Sequence, residues 1–175
     1  MIYLIDANIL ITAYNNYYSA EMVPEYWRWL LHMSSMGKVK MPMEIGGEIL
    51  KGTKGDFLRG WLNTHKEDLI LKTQVETHLV REVIDCYGSL RDDQIANIEK
   101  DAFLIAYAHS AKDKYCIVTT ENSKPKRVKQ NRKIPDVCND LNIRWLDPFK
   151  FNKELQFTTS WEKFLSPAPE DEAIC

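Results

Sequence analysis

The sequence has no long hydrophobic run, no secretory leader and no zinc-type pattern of cysteines. Its apolar stretches are too short to span a membrane, and its start lacks the basic residues and small-residue cleavage site of a signal peptide. The four cysteines contain no CxxC pair and no Cys/His cluster, which argues against a zinc site: Cys86, Cys116, Cys138 and Cys175. We therefore expect a cytoplasmic protein with reduced thiols.

The sequence also lacks a strong overall charge. A formal net charge of -2 provides no general attraction to nucleic acid, so such a contact must come from local basic clusters. A chain of 175 residues is long enough to bury a core and short enough to form one domain. We expect a single domain over residues 1–150 and a C-terminal extension over residues 151–175. Proline and acidic residues predict disorder in that extension after about residue 166.

Short apolar runs alternate with helical patterns along the chain. Strands are predicted over residues 2–5, 39–41, 115–118 and 143–146. Helices are predicted over residues 7–17, 24–36, 55–64, 73–87 and 135–141, and two more begin near residues 43 and 92. Thr73 and Glu76 predict a capping box, and Gly46 and Gly47 weaken their helix unless a neighbour requires close approach. The alternation predicts an α/β fold with a parallel sheet and right-handed crossovers.

Polar residues stand where two predicted strands end. Asp6 directly follows the first strand, and Thr119 and Glu121 follow the strand over residues 115–118. In open α/β sheets, ligands bind outside the carboxyl ends of the strands. A carboxylate buried there is unfavourable unless a cation, a proton or hydrogen-bond donors satisfy it. The alternative for Asp6 is a helix cap, because Asp is a favoured N-cap residue.

Two further acids are expected to reach the same edge of the sheet. Glu48 lies on the helix that begins near residue 43, and Asp101 precedes an apolar helical run. Carboxylates brought together raise each other's pKa unless a cation lies among them. Mg²⁺ prefers oxygen ligands and suits sites built from a few carboxylates and substrate phosphates. The acids therefore predict metal-assisted phosphodiester hydrolysis, with Mg²⁺ as the metal and Mn²⁺ as a substitute.

Four segments resemble the acidic motifs of a known family, in that family's order: YLIDANILI, PMEIGGEIL, EKDAFLIAYA and IVTTEN. Over about residues 2–146 the chain is similar to the PIN-domain nucleases. The resemblance implies a three-layer α/β/α sandwich with a short parallel, Rossmann-like sheet. It also implies a metal-dependent ribonuclease that hydrolyses single-stranded RNA. Many small members are the toxin of a toxin–antitoxin pair and commonly dimerise, so the implied partners are RNA, an antitoxin and a second copy of the chain, with no membrane.

The resemblance also assigns roles to single residues. Four acids match the metal-binding and catalytic positions: Asp6, Glu48, Asp101 and Glu121. Glu44 is an alternative to Glu48, because residues four apart share one helix face. Asn8 matches a small polar position on the substrate side, and Thr119 matches a hydroxyl residue that would orient Asp6 or a water molecule. The family more often has Asp where Glu121 stands, and Glu reaches one methylene further.

A basic segment follows Glu121 directly. Its six cations are Lys124, Lys126, Arg127, Lys129, Arg132 and Lys133. We expect Lys124, Lys126, Arg127 and Lys129 to bind RNA phosphates, which supply affinity without sequence reading. The alternative is a solvated loop with no ligand. Tyr14, Tyr17 and Tyr18 are candidates to stack on bases of single-stranded RNA, although at least one of them is expected in the core.

Simpler interpretations stand beside these. Asp101 also fits a helix cap, and Glu121 also fits a solvated loop residue. A non-catalytic PIN-like domain that binds RNA or protein is the second functional hypothesis, and the Glu at position 121 favours it. A third is a phosphatase or receiver-type domain in which Asp6 accepts a phosphoryl group. Asn8 disfavours it, because aspartyl phosphatases usually have a second Asp at that position.

Overall fold

A four-stranded, all-parallel sheet lies at the centre of the computed structural model, which describes residues 1–165. Its strands are β1 (Ile2–Ile5), β2 (Val39–Lys40), β3 (Tyr115–Val118) and β4 (Trp145–Leu146), and their order across the sheet is β2-β1-β3-β4. β1 and β3 are the central strands, and nearly all of their side chains are buried. Apolar runs buried on both faces are typical of parallel sheets.

Eight α-helices accompany the sheet in the described part of the chain. They are α1 (Ala7–Thr12), α2 (Pro24–Ser35), α3 (Met43–Leu50), α4 (Phe57–Leu69), α5 (Thr77–Asp85), α6 (Asp92–Ser110), α7 (Ile134–Asp140) and α8 (Pro148–Glu154). A π-helical turn covers Ala13–Tyr17, and 3-10 turns cover Lys129–Asn131 and Trp161–Phe164. The arrangement is the predicted α/β fold, a three-layer α/β/α sandwich around a short parallel sheet.

Two helices begin or end away from their predicted positions. α4 begins after Asp56, whose side chain accepts a hydrogen bond from the Arg59 N–H at 3.1 Å, and it runs past residue 64 to Leu69. The capping box predicted at Thr73 and Glu76 was wrong. α5 begins only at Thr77, and its N-cap residue, Glu76, makes no side-chain cap hydrogen bond. Thr73 lies before the helix, and its carbonyl accepts the Tyr107 hydroxyl.

The segment after residue 150 packs onto the domain as far as the structure describes it. Phe151 and Trp161 belong to the hydrophobic core. The Trp161 indole N–H donates to the carbonyl of Glu25 in α2 at 3.1 Å, and Arg28 forms an ion pair with Glu162. The predicted disorder after about residue 166 lies outside the described residues.

The described residues contain no candidate membrane span, since no helix within residues 1–165 is long and apolar enough to cross a membrane. Cys86, Cys116 and Cys138 carry free thiols.

Candidate active site

The carboxyl ends of β1 and β3 bring Asp6 and Thr119 to the same level of the sheet. Ile5 pairs with Val118 in the parallel register, and the Asp6 N–H donates to the Val118 carbonyl at 3.2 Å. Asp6 is therefore the first residue after β1, and Thr119 is the first residue after β3. The sequence-based expectation that Asp6 and the residues after β3 share one edge is confirmed.

Asp6 is a buried acid, only 6% exposed. It occupies the N-cap position of α1, yet its carboxylate makes no capping hydrogen bond. The side-chain amide of Asn8 donates to it at 3.3 Å. Burial raises the pKa of Asp6 above its usual range, the amide groups of Asn8 and Ala7 oppose this, and the charge of Glu121 adds to it. The protein thus holds a carboxyl group that resists ionisation at the sheet edge.

Asp101 is the second acid of this edge. It lies inside α6, which begins at Asp92, so the helix-cap interpretation is wrong. Its pKa is raised to about 7, first by burial and then by the charges of Asp6 and Glu121, while Lys133 and Lys100 oppose the rise. α6 packs against β3, the strand beside β1, and the charge of Asp6 reaches Asp101 from the end of β1.

Glu121 is the third acid, and it is firmly held. Its side chain is 20% exposed and forms an ion pair with Lys133. It also accepts the Ile134 N–H at 2.8 Å, and its own N–H donates to the buried Thr119 hydroxyl oxygen at 3.2 Å. The interpretation of Glu121 as a solvated loop residue was wrong. The hydroxyl of Thr119 shapes the turn that carries Glu121.

Glu48 lies at the outer side of the site. Its side chain is 41% exposed and forms an ion pair with Lys100, which also lowers the pKa of Asp101 and therefore stands near both acids. Glu48 and Asn8 line one cavity of about 470 Å³ between α1 and α3. The alternative acid, Glu44, instead lies beside Tyr107, two helical turns along α6 from Lys100.

Two lysines balance the outer carboxylates of the site. Lys100 pairs with Glu48 and Lys133 with Glu121, across 52 and 12 positions of the sequence. Within residues 1–165, no three or more acid, His or Cys side chains are already arranged to hold a metal ion. Four carboxylates and two ammonium groups leave a formal charge of -2 when all are ionised. A single divalent cation would neutralise that charge.

The profile of one protein family matches residues 3–159, which is most of the chain. Its description is a domain of unknown function, DUF4411. The chain belongs to the DUF4411 family. No curated protein matches the sequence. The family match spans all four acids and nearly all of the four-stranded sheet of the DUF4411 domain, so the site is part of the family's own region.

The DUF4411 domain carries a basic loop, residues 122–129, beside the acidic edge. Its four cations are exposed and have no ion-pair partner in the described chain: Lys124, Lys126, Arg127 and Lys129. The base of the loop is fixed by buried Asp136, which accepts the Ser123 hydroxyl at 2.5 Å and the Lys124 N–H at 2.9 Å. Sequence reasoning missed Asp136, because only the fold brings it to the loop.

The last two cations of the basic segment are structural. Arg132 donates to the carbonyl of Cys86 at 2.6 Å and forms an ion pair with Asp140. Lys133 holds Glu121. Sequence reasoning grouped both with the exposed cations, since their partners lie elsewhere in the sequence.

The three tyrosines near α1 have different environments in the DUF4411 domain. Tyr14 stacks on Phe57 with ring centroids 4.8 Å apart, and Tyr18 stacks on Tyr26 at 4.3 Å. Tyr17 is 53% exposed. Of the three, Tyr17 is the most exposed, although its ring packs in a T-shaped arrangement with Phe149 at 5.3 Å.

Proposed function

We propose that this protein is a metal-dependent, PIN-type ribonuclease that hydrolyses phosphodiester bonds of single-stranded RNA. The observation that carries the proposal is the pair Asp6 and Asp101. Asp6 ends a central strand and Asp101 lies on α6, which packs on β3. Burial raises the pKa of both acids, the charge of Glu121 raises both further, and the charge of Asp6 adds to the rise at Asp101. A protein retains such an unfavourable pair where a ligand offsets the repulsion, and perturbed carboxylates of this kind are typical of functional sites.

The donor set fits a hard divalent cation such as Mg²⁺, with Mn²⁺ as a substitute. Asp6 and Asp101 would hold the ion, and Glu121 and Glu48 would complete its surroundings directly or through water. Carboxylate oxygens are the ligands that these ions prefer, and the residual formal charge of the site matches that of one such ion. When bound, the ion polarises the phosphate and activates water.

The protein's own residues position both the site and the substrate. Asn8 holds the Asp6 carboxylate, and Thr119 holds the turn of Glu121. Lys100 and Lys133 hold Glu48 and Glu121 in ion pairs at the outer side of the site until a metal cation competes for these carboxylates. The basic loop offers four exposed cations to the phosphates of RNA, whose negative charge would otherwise be repelled by the acids.

Asp6→Asn tests the proposal, because it removes one charge and keeps the shape of the side chain. We expect loss of cleavage of labelled single-stranded RNA in Mg²⁺, and loss of wild-type cleavage in excess chelator. Glu99→Gln, an exposed substitution on α6, is the matched control and should retain activity. Full activity of Asp6→Asn, or of the wild-type protein in chelator, would contradict the proposal.

A second candidate is a non-catalytic PIN-like domain that binds RNA or protein. The two lysine pairs favour it, since they satisfy Glu48 and Glu121 without any metal. It predicts RNA binding that depends on the basic loop and is unchanged by chelator. Cleavage by the wild-type protein, lost in Asp6→Asn, decides against it.

We further propose that the ribonuclease acts in the cytoplasm as the toxin of a toxin–antitoxin pair, in which it binds an antitoxin and forms a homodimer. The resemblance to small PIN-domain nucleases supports this. Expression in a bacterial host should arrest growth, Asp6→Asn should not, and the product of a short neighbouring reading frame should relieve the arrest. Normal growth with active enzyme in the cell would refute the toxin assignment.

A further inference from the structure

Two exposed aromatic side chains pack on each other where α8 begins. Tyr17, on the π-helical turn after α1, is 53% exposed, and Phe149, in the first turn of α8, is 57% exposed. Their ring centroids are 5.3 Å apart in a T-shaped arrangement. Apolar side chains exposed singly need no explanation, but those that adjoin form a candidate binding surface. We call these two residues the aromatic pair.

The register of the sheet places the aromatic pair at the carboxyl edge, which also carries the acids. Val118 of β3 pairs with Ile5 on one side and with Leu146 of β4 on the other, so three strands end at one level. Phe149 stands three residues after Leu146, in the helix that begins there, and α1 begins directly after β1 at the same edge. The aromatic pair therefore borders the edge at which we propose RNA cleavage.

The aromatic pair and the basic loop belong to opposite faces of the sheet. The chain crosses from β1 to β2 in one direction and from β3 to β4 in the other, so right-handed crossovers put α2 and α7 on opposite faces. α8 packs on α2 through the rings of Phe151 and Trp29, and the basic loop is anchored to Asp136 of α7. A ligand that contacts both surfaces passes over the ends of β1 and β3.

The charge beside the aromatic pair suits an anionic ligand. Lys153 is exposed and lies four residues after Phe149, on the same face of α8. Within residues 1–165, Lys153 forms no ion pair, whereas Lys150 pairs with Asp147. An aromatic ring beside a cation is the combination that binds a nucleobase together with its phosphate.

The size of the aromatic pair matches nucleobases rather than a protein partner. A large aromatic side chain covers about 150–250 Å², so two rings that are roughly half exposed offer on the order of 200 Å². A stable protein interface needs about 800 Å² on each partner. One or two bases need only a ring face each.

We propose that the aromatic pair stacks on unpaired bases of single-stranded RNA while the basic loop holds the phosphates of the same strand. The inference rests on the proposed ribonuclease function and adds a base contact to it. Every base has a π face, so stacking supplies affinity with little sequence preference. A duplex keeps its bases stacked inside the helix, so this subsite selects RNA whose bases are free.

Tyr17→Ala and Phe149→Ala test the inference through the binding of a labelled oligouridylate, measured by fluorescence anisotropy in Mg²⁺. Both are made in the full-length Asp6→Asn protein, the parent, which we expect to leave the RNA intact. The Kd should rise about fivefold or more in each alanine variant, and Tyr17→Phe, which keeps the ring, should bind like the parent. Phe164→Ala should also bind like the parent. Phe164 is 79% exposed, but it shares a cavity with Lys38, which precedes β2 at the opposite edge of the sheet.

An abasic oligomer of the same length separates base stacking from charge, because it keeps the phosphates and lacks the bases. It should bind the parent and both alanine variants equally. Where an alanine variant does not fold, the leucine variant at the same position replaces it, since leucine keeps the apolar bulk and lacks the aromatic face. The leucine variant should also lose affinity for oligouridylate.

Several results would overturn the inference and leave the proposed function standing. These are an unchanged Kd in either alanine variant, an equal loss of affinity for the abasic oligomer, and an equal loss in Phe164→Ala. A parent that sediments as a dimer and alanine variants that sediment as monomers would show that a second copy covers the rings, which also overturns it. A wild-type protein that neither binds nor cleaves oligouridylate would instead overturn the proposed function, and the subsite with it.

Discussion

Replacing Asp101 with Asn should stabilise the metal-free protein at neutral and alkaline pH. Burial and the charges of Asp6 and Glu121 raise the pKa of Asp101 from 3.8 to about 7. The folded protein therefore holds this proton more tightly than the unfolded chain. The contribution to the free energy of unfolding is fully present below about pH 4 and falls as pH rises to about 7. The amide of the variant side chain has no such titration.

The size of the effect follows from the pKa change. One pKa unit corresponds to about 1.36 kcal/mol, so the raise of about three units gives at most about 4 kcal/mol. Between about pH 5 and pH 8, the advantage of Asp101→Asn over the wild-type protein should grow by about 2–3 kcal/mol. At roughly 2–4 °C per kcal/mol, this is a widening of roughly 5–10 °C in Tm.

Urea unfolding in chelator at several pH values across this range measures the difference. Glu99→Gln, exposed on the same helix, should follow the wild-type profile. Added Mg²⁺ should stabilise the wild-type protein at alkaline pH and have much less effect on Asp101→Asn, because the ion offsets a repulsion that the variant lacks. Parallel profiles for wild-type and Asp101→Asn, or a less stable variant at alkaline pH, would refute the reasoning.

Four further predictions concern α3 and the basic loop. Gly47→Ala should stabilise the protein by about 0.5–1 kcal/mol in urea unfolding, because no described atom beyond its chain neighbours and the nearby backbone of its own helix lies within 4 Å of the added Cβ. Gly46→Ala should be less stable than Gly47→Ala, since its Cβ would come within 2.5 Å of Ile70 Cδ1; equal stabilisation would contradict this. Asp136→Asn should weaken the anchor of the basic loop and speed its proteolysis, and an unchanged cleavage rate would contradict the anchor. RNA affinity should fall with salt, with a slope of roughly -3 in log–log form if the four loop cations each contact one phosphate; a flat dependence would exclude the loop.

The fold was largely predictable because its central strands are short apolar runs that end in polar residues. β1 and β3 lie where the apolar pattern predicted them, and the parallel arrangement follows from their alternation with helices. Asp6 and Thr119 directly follow these two strands, and this position predicted that both would lie at the carboxyl edge of the sheet. The family of the resemblance remains a prediction, since DUF4411 has no described function.

The charge balance of the site was not predictable from the sequence. The pair of Lys100 and Glu48 joins residues 52 positions apart, and nothing in either local segment indicates the other. In the sequence, nothing distinguishes Lys133 from the other cations of the basic segment, and only the fold brings it to Glu121.

The order of the strands has a consequence during synthesis. β1 leaves the ribosome first, but its central place in the sheet requires β3, and Ile2 pairs with Tyr115. The three acids whose charges act on one another at this edge, Asp6, Asp101 and Glu121, are all present only after translation has passed β3. Pairing across so long a separation is slow to nucleate. The growing polypeptide therefore carries no assembled acidic edge until β3 has been made, so the site that we propose for RNA cleavage cannot form while translation has reached only α5.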